Sequence, residues 1–233
     1  MKSDWLCRLK DCFKKYPELY HTLIVLLSPI HYPAGKIRDK IRKNFDLESE
    51  VVINVGSGPV SLHKNIINVD IERHKNVHVI ADAMNLPFKD HSVDGVITIA
   101  VLEHIKNPEK ALLDFYRIIK PRGRILTYVP FIQGYHASPH DYHRWTIQGI
   151  EEAHRYFLKV ESGVCSGPTS ALVWILTEWL AMIFSMGSLR LYKMMYIAFM
   201  LTLWPLKFLD ILISTHPVSS NIASVLYFVG KKK

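Results

Sequence analysis

The chain has 233 residues, 49% of them hydrophobic and 21% charged, which supports a folded core and excludes a wholly disordered chain. Three cysteines without a CxxC pair exclude a disulfide framework and favour a reducing, cytoplasmic location. The net charge of +8 suits an anionic partner, either a nucleic acid or a membrane surface.

The first 49 residues are predicted to form a helical or lid region ahead of the main domain. Basic and apolar residues alternate over residues 2–16, which is typical of an amphipathic helix that stops at Pro17. The apolar stretch at residues 23–27 is too short for a signal peptide. We interpret the region as a cytosolic surface element.

From residue 51 the sequence alternates between short apolar runs and turns. These runs predict strands at residues 51–55, 66–70, 77–81, 95–100, 124–129 and 157–165, and a last one at 222–230. Continuous apolar runs fit parallel strands that are buried on both faces. A helix is predicted to begin at the N-cap Asn107 and to end at Pro121 and Gly123.

Strands that alternate with helices predict an α/β fold with a Rossmann-like, doubly wound sheet, which binds ligands beyond the carboxyl ends of its strands. Gly56 and Gly58 follow the first strand, and Asp70 and Asp82 end or follow the next two. Each acid alone has an ordinary alternative as a solvated strand end, but their coincidence at one edge favours a ligand site. Only eleven residues separate Gly58 from Asp70, so a loop is expected in place of the first crossover helix.

Four segments carry a resemblance to a known family: VVINVGSGP, INVDI, ADAMNLPFKDHSVDGVITIAVLEHI and LLDFYRIIKPRGRILTYVP. They resemble class I S-adenosylmethionine-dependent methyltransferases, in the type 11-like subgroup with LPF-x-D-x-S-x-D followed by VLEH. The resemblance covers about residues 50–165. It implies S-adenosylmethionine as cofactor and a seven-stranded sheet whose last strand is antiparallel.

The resemblance also implies a cofactor-binding set along the carboxyl edge of the sheet. Its members are Asn54, Gly56, Ser57 and Gly58 toward the methionine moiety, Asp70 and Ile71 at the ribose and adenine, Asp82 and Ala83 at the adenine amino group, and Ala100 and Glu103 toward the reacting centre. Two positions depart from the family pattern, because Asn54 replaces an acid and Val60 replaces a third glycine.

Histidines supply the candidate catalytic bases, because their ordinary pKa suits proton removal at neutral pH. The candidates are His104, which ends the VLEH signature, and His136, His140 and His143 in a segment, YHASPHDYHRWT, that resembles methyltransferases of glycan and cell-envelope biosynthesis. Tyr135, Tyr142 and Arg144 are predicted to orient the substrate. A metal site formed by the three later histidines with Asp141 is the disfavoured alternative, so no metal is predicted.

The two most apolar stretches of the chain lie between the last two predicted strands, at residues 171–186 and 194–206. Each stretch is short for a spanning helix, and basic and aromatic residues lie around them, so interfacial or re-entrant helices are favoured. A transmembrane hairpin and a soluble subdomain or dimer face are the alternatives. The predicted domains are therefore a methyltransferase domain at residues 50–168 and 217–233 and a membrane-associating insert at 169–216.

These interpretations predict a cytoplasmic, membrane-associated methyltransferase that acts on a small-molecule, saccharide or lipid-linked acceptor, by preference at an oxygen. The alternatives are carbon or oxygen methylation of a quinone-like lipid, and an inactive membrane-anchored binding module. Nucleic acid is disfavoured as a partner because the basic residues cluster around the apolar stretches. The sequence does not predict an oligomeric state.

Overall fold

The computed structural model describes Leu26, residues 28–31 and residues 34–233. The predicted amphipathic segment at residues 2–16 lies outside the described residues. Of the predicted N-terminal region, α1 (Ala34–Asn44) is a helix, and it is joined to the first strand by residues 45–51.

A single mixed sheet occupies the centre of the described chain, with the strand order β3-β2-β1-β4-β5-β7-β6. The strands are β1 (Val52–Val55), β2 (Ile67–Asp70), β3 (Val79–Ile80), β4 (Val93–Ile99), β5 (Ile119–Pro130), β6 (Phe157–Ser166) and β7 (Val225–Lys232). β7 is antiparallel to β5 and to β6, and the other pairs are parallel. The predicted Rossmann-like fold with an antiparallel last strand is confirmed.

The remaining helices of the described residues follow β4 in the chain. They are α2 (Pro108–Ile118), α3 (Ile147–Ala153), α4 (Pro168–Phe184), α5 (Leu189–Leu203) and the short α6 (Asp210–Ile213). The N-cap of α2 is confirmed, because Asn107 Oδ1 accepts the backbone N–H of Lys110 at 3.2 Å. α2 ends at Ile118, earlier than predicted, because β5 already begins at the next residue.

The first three connections of the sheet contain no helix, which confirms the loop predicted after β1. A chain of side-chain amides braces this part of the sheet instead. Asn54 Nδ2 donates to Asn68 Oδ1 at 3.4 Å, and Asn68 Nδ2 donates to the carbonyl of Asn76 at 3.1 Å. Asn76 Nδ2 in turn donates to the carbonyl of Gly58 at 3.1 Å, which ties the chain to the glycine loop.

Both faces of the sheet are covered, because successive strand residues point to opposite sides. Ile53 packs in one core with Phe115 of α2. Its neighbour Val52 packs with Ile97 and with Ile41 of α1 in a second core on the other face. All five side chains are buried, so α1 and α2 are layers of the domain.

The predicted helical insert is confirmed between β6 and β7, where it comprises α4, α5, a 3₁₀ segment (Trp204–Leu209) and α6. β6 runs in the same direction as β5, since both are antiparallel to β7. The insert therefore leaves the sheet at the edge formed by the carboxyl ends of the parallel strands.

Candidate active site

The turn after β1 depends on two glycines with left-handed backbone angles. Gly56 has a φ of +70° and Gly58 a φ of +55°, values that L side chains rarely adopt. A Cβ on Gly56 would also lie 2.3 Å from Cγ2 of Val101, in the loop after β4. The two loops therefore pack closely only with glycine at position 56. Open space lies beside Gly58, where a Cβ would meet no atom within 4 Å.

The carboxylate of Asp70 lies against this turn, as expected for a strand that neighbours β1. Its Oδ2 accepts the backbone N–H of Gly58 at 2.7 Å, and its Oδ1 accepts that of Glu72 at 2.9 Å. Asp82 follows β3, is exposed, and accepts the N–H of Met84 at 2.8 Å. Because the backbone of Asp70 also hydrogen-bonds to Ala81, these acids lie on adjacent strand ends.

The other predicted cofactor residues lie on the same edge. Ile71 is 68% exposed, while Ser57 is buried. Ala100 follows β4 with a φ of +53°, an uncommon conformation for a residue with a Cβ. Asn54 is buried, and its side-chain amide donates to Asn68, which is linked to the glycine loop through Asn76.

Three predicted residues meet beyond β4 and β5. Glu103 is fully buried, and its Oε1 lies 4.0 Å from Nε2 of His104 and 3.8 Å from Nε2 of His136. Burial alone lowers the pKa of His136, but Glu103, the carbonyl of Gly134 and the charge of Asp141 together raise it above the ordinary value. We call Glu103, His104 and His136 the carboxylate–histidine cluster.

A salt bridge orders the loop that carries His136. The Arg144 guanidinium is bidentate to Asp141, with N–O distances of 2.5 and 2.6 Å, and it also donates to the carbonyls of Gln133, Gly134 and His143. Arg144 holds the pKa of the Asp141 carboxyl well below its usual range. The contacts of Arg144 are therefore directed into its own loop.

The remaining predicted residues lie on the outside of this loop. His140 is exposed and offers its backbone carbonyl, not its ring, to Nδ1 of His104 at 2.6 Å. His143 Nε2 lies 3.4 Å from the carbonyl of Lys106. Tyr135 and Tyr142 are 75% and 45% exposed, so both are available to a substrate.

One contact at the cluster was not predicted from the sequence. The ring of Trp174, on α4, lies 5.5 Å from that of His136. A Cβ on Gly134 would lie 2.3 Å from Nε1 of Trp174, so glycine is what allows this approach. No signal in the sequence distinguishes Trp174 from its apolar neighbours, yet it joins the insert to the cluster.

Two cavities lie at opposite edges of the sheet. A small one, of about 10 Å³, is lined by Ala100, Glu103 and Gln133 at the carboxyl edge and has room for about one water. A larger one, of about 670 Å³, lies at the amino ends of β4 and β5 near Asp94 and Arg124. The larger cavity is distant from the glycine loop and from the cluster, so we do not assign the chemistry to it.

The comparisons with known proteins agree with this geometry. A family described as "Methyltransferase domain" matches residues 58–127, which include Asp70, Asp82 and the cluster residues of the VLEH segment. These residues, about 30% of the chain, are similar to a methyltransferase domain. The match supports the predicted family, while the roles of the individual site residues stay predictions.

Three proteins illustrate the similarity of this chain to methyltransferases. The chain is 33% identical over 109 residues to a demethylmenaquinone methyltransferase of Streptomyces griseus, covering 42% of this chain and 47% of the relative. A Thermotoga maritima structure, described as an S-adenosylmethionine-dependent methyltransferase and possible histamine N-methyltransferase, has a TM-score of 0.55 at 14% identity, covering 95% and 98% of the two chains. The Haemonchus contortus phosphoethanolamine N-methyltransferase 2 complex with S-adenosyl-L-methionine has a TM-score of 0.52 at 16% identity, covering 84% and 52%. The chain thus spans about half of its curated relative, and the structures support the fold alone.

Proposed function

We propose that this protein transfers a methyl group from S-adenosylmethionine to an acceptor oxygen at a membrane surface. The observation that carries the proposal is that two groups of residues lie at the same edge of the sheet. The first is the glycine loop with Asp70, and the second is the carboxylate–histidine cluster beyond β4. The first supplies a binding edge for a nucleoside with a ribose, and the second supplies groups that take up a proton. The cofactor seen in the Haemonchus structure supports the same assignment.

The reaction is an in-line displacement at the methyl carbon. The cofactor supplies the reactive sulfonium, and this chain supplies alignment and proton removal. Asp70 accepts hydrogen bonds from the ribose hydroxyls, and the glycine loop at residues 56–58 faces the methionine end. The acceptor hydroxyl loses its proton at the cluster, where His104 is the predicted base.

The acceptor that we favour is a small molecule, a saccharide or a lipid-linked precursor. The resemblance of the loop around Tyr135 and Tyr142 to glycan-modifying methyltransferases supports a saccharide. The curated relative named for demethylmenaquinone supports the second candidate, a quinone-like lipid methylated at carbon or oxygen. A lipid-linked saccharide and a quinone-like lipid would each place the acceptor at or in a membrane.

The insert is the part that supports a membrane surface. α4 buries one side and leaves another apolar side exposed: Leu172, Ile175, Trp179, Met182 and Ile183. Met186, at the tip between α4 and α5, is 90% exposed. The only acid on α4, Glu178, is hydrogen-bonded by the hydroxyl of Tyr192 on α5. An uncharged face of this size is typical of a protein that lies on lipid.

The contacts of the insert favour lying on the bilayer over crossing it. By length and composition, Leu189–Ile213 is long and apolar enough to span a membrane, with a mean hydropathy of 1.7. However, Lys207 in its second half is buried and donates to the carbonyls of Leu26 and Ser28, and Asp210 is bonded to the start of α4. The part of this span before the 3₁₀ segment, Leu189–Leu203, packs against α4. Its fifteen residues reach about 22 Å, less than a bilayer core of about 30 Å.

The test of the cofactor assignment is calorimetry with S-adenosylmethionine on the full-length protein. We expect Asp70→Ala to weaken binding by about 1–3 kcal/mol, because charge-assisted hydrogen bonds to the ribose are lost. Glu72→Ala is the matched control, since this side chain is 72% exposed and only its backbone contacts Asp70.

Two outcomes contradict the assignment. Equal affinity of wild type and Asp70→Ala removes Asp70 from the site. Absence of binding by the wild type favours the inactive binding module, for which the replacements at Asn54 and Val60 are the supporting features.

A further inference from the structure

The carboxylate of Glu103 is buried without the donors that a buried charge needs. Its side chain is 0% exposed, and neither Oε1 nor Oε2 has a hydrogen-bond partner in the part of the chain that the structure describes. Removing a carboxylate from water without compensation costs several kcal/mol. A positive group therefore belongs beside it when the protein is in its working state.

The two histidines that face Glu103 direct lone pairs toward it. His104 Nδ1 lies 2.6 Å from the carbonyl oxygen of His140, and His136 Nδ1 lies 3.0 Å from that of Gly134. A carbonyl only accepts, so each Nδ1 of the neutral ring carries the proton and each Nε2 carries the lone pair. Both Nε2 atoms lie on the Glu103 side, at 4.0 and 3.8 Å from Oε1.

Arg144 does not change this assignment. Its Nη2 lies 3.3 Å from His136 Nδ1, but the two hydrogens of Nη2 already point to the carbonyl of Gly134 at 2.9 Å and to Asp141 Oδ2 at 2.6 Å. Nδ1 of His136 therefore stays a donor to Gly134. While both rings are neutral, three acceptors, two imidazole nitrogens and one carboxylate, converge without a donor between them. A proton on Nε2 of His136, which Glu103 favours, is the alternative that a bound cation displaces.

A metal ion resolves this convergence. Ligand atoms of Glu103, His104 and His136 all lie within 4.8 Å of one another, so a bond length of about 2.0–2.2 Å requires the side chains to close by roughly 1 Å or less each. Backbone carbonyls on the far nitrogens are the usual outer contacts of metal-bound histidines. We propose that the carboxylate–histidine cluster binds one divalent transition-metal ion, with Zn²⁺ the best match to two imidazoles and one carboxylate.

Three protein ligands leave the ion an open position, which is the arrangement of catalytic rather than structural zinc. The cavity of about 10 Å³ beside Glu103 and Ala100 has room for one oxygen ligand. The use that we assign to the metal ion rests on the proposed function. An acceptor hydroxyl bound to the ion would release its proton to solvent at neutral pH. Its oxygen then bonds to the methyl carbon as the carbon–sulfur bond breaks, and the sulfur keeps that electron pair. The role predicted for His104 thereby changes from base to ligand.

The experiment is a competition titration of the full-length protein, freed of metal with a chelator, using Zn²⁺ and a chromophoric indicator. We expect one ion per chain with a dissociation constant at or below about 1 μM. Glu103→Gln and His136→Gln are each expected to weaken binding at least about tenfold. His143→Gln, in the same loop but with its ring toward Lys106, is the matched control and is expected to bind like the wild type.

Thermal melting separates loss of the site from loss of the fold. We expect Zn²⁺ to raise the melting temperature of the wild type and not that of Glu103→Gln, while metal-free Glu103→Gln melts no lower than metal-free wild type. No binding by the wild type, or equal binding by both ligand variants, overturns the inference. Calorimetry with S-adenosylmethionine on the wild type and on His136→Gln reports the proposed function separately, because His136 is not among the residues predicted to bind the cofactor.

Discussion

At the scale of single residues, His154 is the clearest source of pH-dependent stability. It is 1% exposed, its Nδ1 donates to the carbonyl of Ile150 at 2.8 Å, and its Nε2 lies 2.9 Å from the hydroxyl of Thr127. Burial lowers its pKa to about 4. The folded state thus keeps the ring neutral at a pH where the unfolded chain, with a pKa near 6.5, already binds a proton.

We therefore expect the free energy of unfolding to fall as the pH drops from about 6.5 to 4, with His154 contributing up to about 3 kcal/mol of that loss. His154→Leu should be less stable at pH 7 but show a flatter decline, measured by urea unfolding at several pH values. His140→Gln, an exposed histidine, is the control. Parallel declines for wild type and His154→Leu would remove His154 as the cause.

Some site residues can be predicted from a local sequence pattern, and others cannot. Asp70 was predictable, because a strand-end acid next to a glycine turn follows from the parallel order of β1 and β2. The contact of Glu103 with His136 joins two loops, and that of Trp174 with Gly134 joins a loop to the insert. No spacing in the sequence encodes either contact, since each depends on how distant segments pack.

At the scale of elements, Asp210 holds the insert to the sheet. It is buried, and its carboxylate accepts the backbone N–H groups of Gly167, Thr169 and Ser170 at 3.1, 2.7 and 3.0 Å, and the Ser170 hydroxyl at 2.6 Å. A residue from α6 thereby caps the N-terminus of α4, whose own N-cap, Gly167, has no side chain to do so.

Asp210→Ala is expected to lower stability by about 2–4 kcal/mol, because buried donors lose their acceptor. Hydrogen exchange of the first-turn amides of α4 and urea unfolding measure the effect. Asp210→Asn keeps one acceptor oxygen and should lose less. Unchanged exchange at residues 167–170 in the alanine variant would show that another group caps this helix.

The elements themselves were largely predictable, since β-branched runs mark every strand to within a few residues at most ends. β5 is the main exception, because Pro121 and Gly123 suggested a loop. In the structure, the residues around them form an irregularity between the pairs Val93–Ile119 and Gly95–Arg124. A bulge of this kind tolerates Pro121, which has no N–H to donate, and β5 therefore begins as early as Ile119.

Two of the basic residues around the apolar stretches, Lys207 and Lys232, are buried within the protein. Lys207 is 1% exposed and is bonded within the protein. Lys232 is 4% exposed, and its Nζ donates to the carbonyls of Tyr116 and Ile119 at the end of α2. Charge alone did not distinguish these buried lysines from Arg190, which is exposed beside the tip of the insert.

At the scale of the whole molecule, the exposed side of the insert predicts binding to lipid. We expect the full-length protein to float with anionic vesicles in a density gradient. Trp179→Glu combined with Met186→Glu should reduce the bound fraction at least about tenfold, since each exposed apolar side chain contributes about 1.5–3 kcal/mol when buried.

Leu158→Glu is the matched control for vesicle binding. Leu158 lies on β6 and is 51% exposed, close to the 53% of Trp179, but it is outside the insert. Its replacement should leave flotation unchanged. A wild-type protein that stays at the bottom of the gradient, or a double variant that floats equally well, would contradict membrane docking.

The insert leaves the sheet at the same edge as the carboxylate–histidine cluster, and Trp174 touches both. A docked enzyme would therefore meet a leaflet-bound acceptor by lateral diffusion in two dimensions. Diluting such an acceptor with inert lipid would slow turnover even when its total amount in the tube is constant. The kinetic variable for this protein would then be mole fraction in the leaflet, not molarity.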